Sequence, residues 1–216
     1  MSSRHLNLEG GQYELSGFDV NIRVRRTGAI FSNLRAARYF CRELKKYEDE
    51  HAGKEFGSHV DPASFYFFAA ITASVATLET YYNALIEDIK LEKGMIELLE
   101  KADLMTKFYW LLKLEGKAPI EKGKEPAQSL KDLLTLRNCS VHYRPRWDDD
   151  AVESRKLEEQ FRGRNIETSP LFPDNMPFFP YRCCSHAYAE WAIRTVEDFL
   201  KEFAQRMGLE IKWLQP

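Results

Sequence analysis

A chain of 216 residues, 44% apolar and 13% aromatic, is long enough to enclose one sizeable core and too apolar to stay disordered as a whole. Its 31 Lys and Arg against 33 Asp and Glu leave a formal net charge of −2, which argues against bulk attraction to nucleic acid, so any nucleic-acid site must be local. The four cysteines, Cys41, Cys139, Cys183 and Cys184, contain no CxxC pair and read as reduced thiols of a cytoplasmic protein. No apolar run of signal-peptide type opens the chain. The longest charge-free apolar stretch, Ser64 to Leu78, is shorter than the roughly 20 residues that span a bilayer, so no membrane association is expected.

Residues 1–28 read as an N-terminal extension. Gly10-Gly11 and Ser16-Gly17 are turn signals, and Val20, Ile22 and Val24 alternate with polar residues, which predicts a short strand or β-hairpin. Residues 29–216 read as one helical domain. Ile30, Phe31, Leu34, Ala37, Cys41 and Leu44 recur at three- and four-residue steps and predict an amphipathic helix over 29–50, ended by Gly53 to Gly57. Asp61-Pro62 is a good helix start, and the stretch to about residue 90 predicts a long helix at the centre of the core. Residues 93–115 predict one or two helices with a break near Ala102-Asp103, followed by a loop over 116–126. A further helix runs from Pro126 to about His142, where Pro145 forbids continuation. A short helix ending near Phe161, a Pro- and Phe-rich loop over 169–180 and a last amphipathic helix over 181–207 complete the chain, with Gly208 past its end.

The segment Leu133-Leu134-Thr135-Leu136-Arg137-Asn138-Cys139-Ser140-Val141-His142 resembles the Arg, polar residue, three residues, His signature of the HEPN superfamily. The stretch Ala76 to Leu85, with Glu79 and Asn83 four apart, is similar to an earlier core helix of that family. The similarity covers roughly residues 62–205. It implies an all-α, up-and-down helical bundle and a metal-independent endoribonuclease of toxin, defence or stress-response type, with no cofactor. In such an enzyme the 2′-hydroxyl attacks the adjacent phosphate, and Arg137, Asn138 and His142 form the catalytic set. It also implies a homodimer, RNA as the partner and an antitoxin protein as a further one. Some relatives paired with a nucleotidyltransferase antitoxin carry a Tyr two residues after the His; here that position is Arg144, and Tyr143 stands one residue early.

The residue chemistry fits independently. Imidazole is the side chain suited to accept and donate a proton near neutral pH, so His142 suits general acid or base. Arg137 presents a fork of donors matched to phosphate oxygens and suits charge growing on phosphorus, while Asn138 would orient the histidine or the phosphate. Arg144, Arg146 and Tyr143 are candidates for substrate contact, and Glu79 and Asn83 for a supporting layer. At about 100° per residue Asn138 and His142 share a face, whereas Arg137 and His142 lie roughly 140° apart, which favours a composite site across a two-fold dimer.

Each of these residues has a plainer reading. Arg137 can pair with Glu79 while His142 caps the helix; Glu79 and Asn83 can hold two helices in register as a buried polar network. Phe178, Phe179, Tyr181, Tyr143 and Trp147 suit either base stacking or plugging a loop onto the core. Cys183-Cys184-Ser185-His186 lacks the second ligand pair that zinc needs, so these cysteines read as core, and no metal is expected. His5, His51 and His59 read as surface residues in loops. Arg155, Lys156, Arg162 and Arg164 read as a solvated face. The competing function is a non-catalytic module that binds nucleotide or RNA, or that dimerises within an assembly.

Overall fold

No charged side chain occurs between Asp61 and Glu79, and a helix of that composition needs neighbours on most sides. The computed structural model describes residues 27–57, 60–88, 91–142, 152–209 and 211. Among them it supplies those neighbours: α1 (Thr27–His51), α2 (Asp61–Asp88), α3 (Lys93–Glu100), α4 (Leu104–Leu114), α5 (Ala127–Val141), α6 (Val152–Phe161) and α7 (His186–Met207). The fold is a mainly helical bundle with no strand among the described residues. The expected N-terminal hairpin lies outside the described residues.

Helix α2 is the centre, touching α1, α4, α5 and α7. Ile30, Leu34, Ala37, Cys41 and Leu44 of α1 are all buried, as are Phe67, Ala70, Ile71, Val75 and Leu78 of α2, and the two helices pack along their length. At the other end of the core, Phe108 of α4 meets Phe203 and Phe199 of α7 edge-on at 4.8 and 5.2 Å and Tyr82 of α2 at 5.9 Å. Edge-to-face pairs of this kind add about 0.5–1.5 kcal/mol each beyond area burial.

The helix ends follow local chemistry. Asp103 breaks α3 from α4 by capping the latter, its carboxylate accepting from the Thr106 N–H at 2.9 Å. Gly208 ends α7 with a left-handed φ of 70°, and the Leu209 N–H reaches back to the Ala204 carbonyl at 2.9 Å.

Three readings change at the level of tertiary structure, and the choice left open for Phe178 and Phe179 is decided. The last helix begins at His186 and not at residue 181, because Phe178–Arg182 forms a separate wide turn in which Phe179 is extended, and the Ser185 side chain then caps α7 by accepting from the Tyr188 N–H at 3.1 Å. Cys183 and Cys184 therefore precede the helix, both fully buried. Phe178 and Phe179 are core residues, 2% and 6% exposed, so they anchor the loop and are not open to bases. His51 is the last residue of α1 rather than part of a loop, its ring stacked on Tyr47 at 4.0 Å.

The third change concerns Arg164, which is no solvated residue. Asp132 of α5, 2% exposed, accepts from Arg164 Nε at 2.8 Å and from its Nη2, and also from Gln160 at 2.6 Å and Gln128 at 3.1 Å. Arg164 further donates to Ser129 Oγ at 2.7 Å and lies over the Trp191 ring at 5.4 Å. This network fastens α6 and the turn after it to α5 and α7. Removing one partner of a buried pair leaves an uncompensated charge, a loss of about 3–5 kcal/mol, whereas replacing both with apolar groups is far milder. Urea denaturation is expected to show Asp132→Ala destabilised by about 3 kcal/mol, with Asp132→Leu/Arg164→Met recovering at least half of it. Equal loss in the single and double variants would mean that the pair is not what fastens α6.

Candidate functional site

Helix α5 carries the Arg137 to His142 segment in its last turn and a half. His142 is the C-cap: its N–H closes the final helical bond onto the Asn138 carbonyl at 2.9 Å, and its backbone leaves the helix at φ −110°, ψ 23°. Asn138, Val141 and His142 are exposed. Arg137 turns the other way, toward α2, where its Nη2 donates to Glu79 Oε1 at 3.1 Å. Arg137 keeps 22% of its side-chain surface open and Glu79 keeps 50%, so the pair is a surface ion pair. Such pairs contribute about 0–1 kcal/mol, and a phosphate can displace the carboxylate. Asn83, one turn beyond Glu79, is exposed as well.

The structure thus joins Arg137 to Glu79 and leaves Asn138 and His142 one turn apart at an open helix end. Glu79 and Asn83 form no buried polar network, since both face solvent. Arg137 is turned toward α2, and the five-residue spacing sets His142 about 140° from it on an ideal helix. Tyr143, Arg144, Arg146 and Trp147 lie outside the described residues. Cys139 is half-buried and packs against the core. Burial pushes the Cys41 thiol up to about 11 and Cys183 well above its ordinary range, which makes both poor nucleophiles.

Three of the cavities among the described residues lie away from this segment. One of about 720 Å³ runs between α5 and α7 beside Glu125, Arg164 and Trp191. A groove of about 570 Å³ lies between α1 and α7, over Cys41 and Ile193. The third, about 230 Å³, adjoins Glu48 and the start of α7. None of the three is lined by Arg137, Asn138 or His142. Among the described residues Asn138 and His142 stand exposed at the end of α5. Among the described residues no group of His, Cys, Asp and Glu side chains is arranged to hold a metal ion, and no helix is long and apolar enough to cross a membrane.

Comparison with family models, with characterised proteins and with solved structures yields no match.

Sequence reasoning missed two buried carboxylates. Asp132 falls in the same register as Leu133 and Leu136, and Glu48 continues the α1 series Ile30, Leu34, Ala37, Cys41, Leu44. An acid on the buried stripe of an amphipathic helix was the available signal in both cases. Glu48, 7% exposed, accepts from the His186 N–H at 3.1 Å and from Ser169 Oγ at 3.3 Å. Burial pushes its carboxyl up to about 7, although the two hydrogen bonds and Lys45 pull the other way.

The direction of the pH effect follows. A carboxyl whose folded value lies above its unfolded one contributes stability below about pH 4.5, and that contribution is lost as pH rises toward 7. Glu48 lines an open cavity, so solvent screening reduces the effect to about 1–2 kcal/mol. Glu48→Gln is expected to match the wild type in denaturant stability near pH 4.5 and to exceed it by that amount at pH 8. A constant difference across the range would show that Glu48 does not titrate with folding.

Proposed function

We propose that the chain is a metal-independent endoribonuclease whose site is built from Arg137, Asn138 and His142 of two copies. The observation that carries this reading is the combination of a solvent-open imidazole at the end of α5 with an arginine held at its edge by a displaceable carboxylate. The resemblance of the segment to the HEPN signature supports it.

In this reading the phosphate replaces Glu79 on Arg137, whose fork of donors takes up the charge that grows on the phosphoryl oxygens. The 2′-hydroxyl oxygen bonds to phosphorus as its proton passes to a base, the bond to the 5′-oxygen breaks, and that oxygen receives a proton from an acid. The products are a 2′,3′-cyclic phosphate and a 5′-hydroxyl. His142 serves as acid or base, and Asn138, one turn before it on the same face, positions the ring or the phosphate. Two-fold pairing of α5 ends brings Arg137 of one copy toward His142 of the other, and the exposed Val141 beside them provides apolar area for that pairing.

The Arg137–Glu79 pair also favours a second reading, a binding or dimerisation module in which that pair is structural and no RNA is cut.

Incubation with total RNA in EDTA distinguishes the two. The enzyme reading predicts cleavage with cyclic-phosphate ends, lowered by about 10²-fold or more in His142→Ala and Arg137→Ala. It further predicts that mixing the two inactive variants restores about a quarter of wild-type activity, because a mixed dimer regains one intact site. Absence of wild-type cleavage, or equal activity in all three proteins, removes the proposed site.

A further inference from the structure

The α1 helix carries a feature that the proposed site does not use. Arg35, Arg38, Arg42 and Lys45 follow one another at three- and four-residue steps and share a face, with Lys46 beside them. Between residues 35 and 46 the chain holds five cations and a single carboxylate, Glu43, although the whole protein is net −2. All five cations are exposed, and the row extends about 16 Å along the helix. Arg38, Arg42 and Lys46 form one lip of the 570 Å³ groove, and Arg194 of α7 stands on the other.

The charges on this face are open to an incoming ligand. Arg35 and Arg42 have no ion-pair or hydrogen-bond partner among the described residues. Arg38 pairs with Glu197 at 2.5 Å, Lys46 with Glu43 at 2.7 Å and Arg194 with Glu190 at 3.6 Å, each with its cationic side chain 45% or more exposed. Exposed pairs of this sort are easily exchanged for a phosphate. Tyr39 stands in the same row, four residues after Arg35 and three before Arg42, and is 50% exposed. The run ends at Glu48, Asp49 and Glu50, which sets the boundary of the surface.

We propose that this α1–α7 face binds the backbone of single-stranded RNA, with Arg35, Arg38, Arg42, Lys46 and Arg194 on phosphates and Tyr39 stacked on a base. A row of cations with an interposed aromatic is the pattern that takes unpaired strands without sequence preference. An acidic polypeptide fits less well, because it would take the charges alone and leave the exposed Tyr39 ring among them unused, whereas an unpaired base stacks on it. The inference rests on RNA being the target, as in the proposed function, but it needs no cleavage.

The test is therefore binding of a fluorescent 2′-O-methyl oligoribonucleotide, which cannot be cut by 2′-hydroxyl attack, followed by anisotropy at several salt concentrations. Arg35→Glu/Arg42→Glu is expected to weaken binding at least tenfold and to lower the salt slope by about 1.4, since each phosphate contact on a single strand contributes about 0.7. Tyr39→Ala is expected to weaken binding about fivefold or more with the salt slope unchanged. Lys101→Glu/Lys117→Glu, exposed cations elsewhere, should change affinity less than twofold. Circular dichroism of each variant verifies folding. Unchanged affinity in the α1 variants, no wild-type binding, or equal affinity for poly-glutamate would each overturn the proposal. Retained binding with absent cleavage of ordinary RNA would instead remove only the enzyme reading.

Discussion

The burial of α2 is the constraint on which the bundle depends. From Pro62 to Leu78 it carries no charged side chain, and eleven of its residues from Ala63 to Leu85 are buried. Each fully buried large apolar side chain contributes about 1.5–3 kcal/mol, so the helix gains most when α1, α5 and α7 surround it. The first charge to appear after this run is Glu79, and it appears where α2 emerges at the surface. The carboxylate that meets Arg137 is thus located by the same pattern that builds the core.

The ends of α5 behave differently. Its first half is pinned by the Asp132 network, where buried donors and acceptors satisfy one another around a single carboxylate. Among the described residues its last turn is held by the Arg137–Glu79 pair, and Cys139 is half-buried against the core. Side chains at the tip of a helix whose base is packed are held more firmly than side chains on a loop. Among the described residues two cavities lie along α7, with α5 and with α1, while Asn138 and His142 are exposed at the tip of α5.

Electrostatics divides the surface by helix rather than by domain. Helix α1 is cationic in its middle and acidic at its end, and the acid that turns inward, Glu48, is held by the first amide of α7. A helix N-terminus carries about half a positive charge and favours a carboxylate there, yet burial outweighs that attraction and leaves the carboxyl protonating near pH 7. A net charge close to zero therefore conceals two local features of opposite sign on one helix.

The amino-acid pattern by itself determined the helical class, the break at Asp103, the cap at Gly208 and the end of α5 at His142, because each depends on neighbours within one turn: hydrophobic period, a capping side chain, or a proline that removes a donor. The start of α7 was not legible in this way, since the apolar residues of 178–184 continue the helical stripe even though the chain there folds into a separate turn anchored by Phe178 and Phe179. Tertiary structure alone decided which partner each charge meets. Arg164 reads as one more solvated cation until Asp132, 32 residues away, is brought against it. The pairing of Arg137 with Glu79 is one of two readings the sequence leaves open, and the packing of α5 against α2 decides for it across 58 residues of sequence, with Glu79 at the rim and not in the core. Periodicity reports which face of a helix is buried; it does not report what lies opposite, because that depends on contacts between residues far apart in the chain.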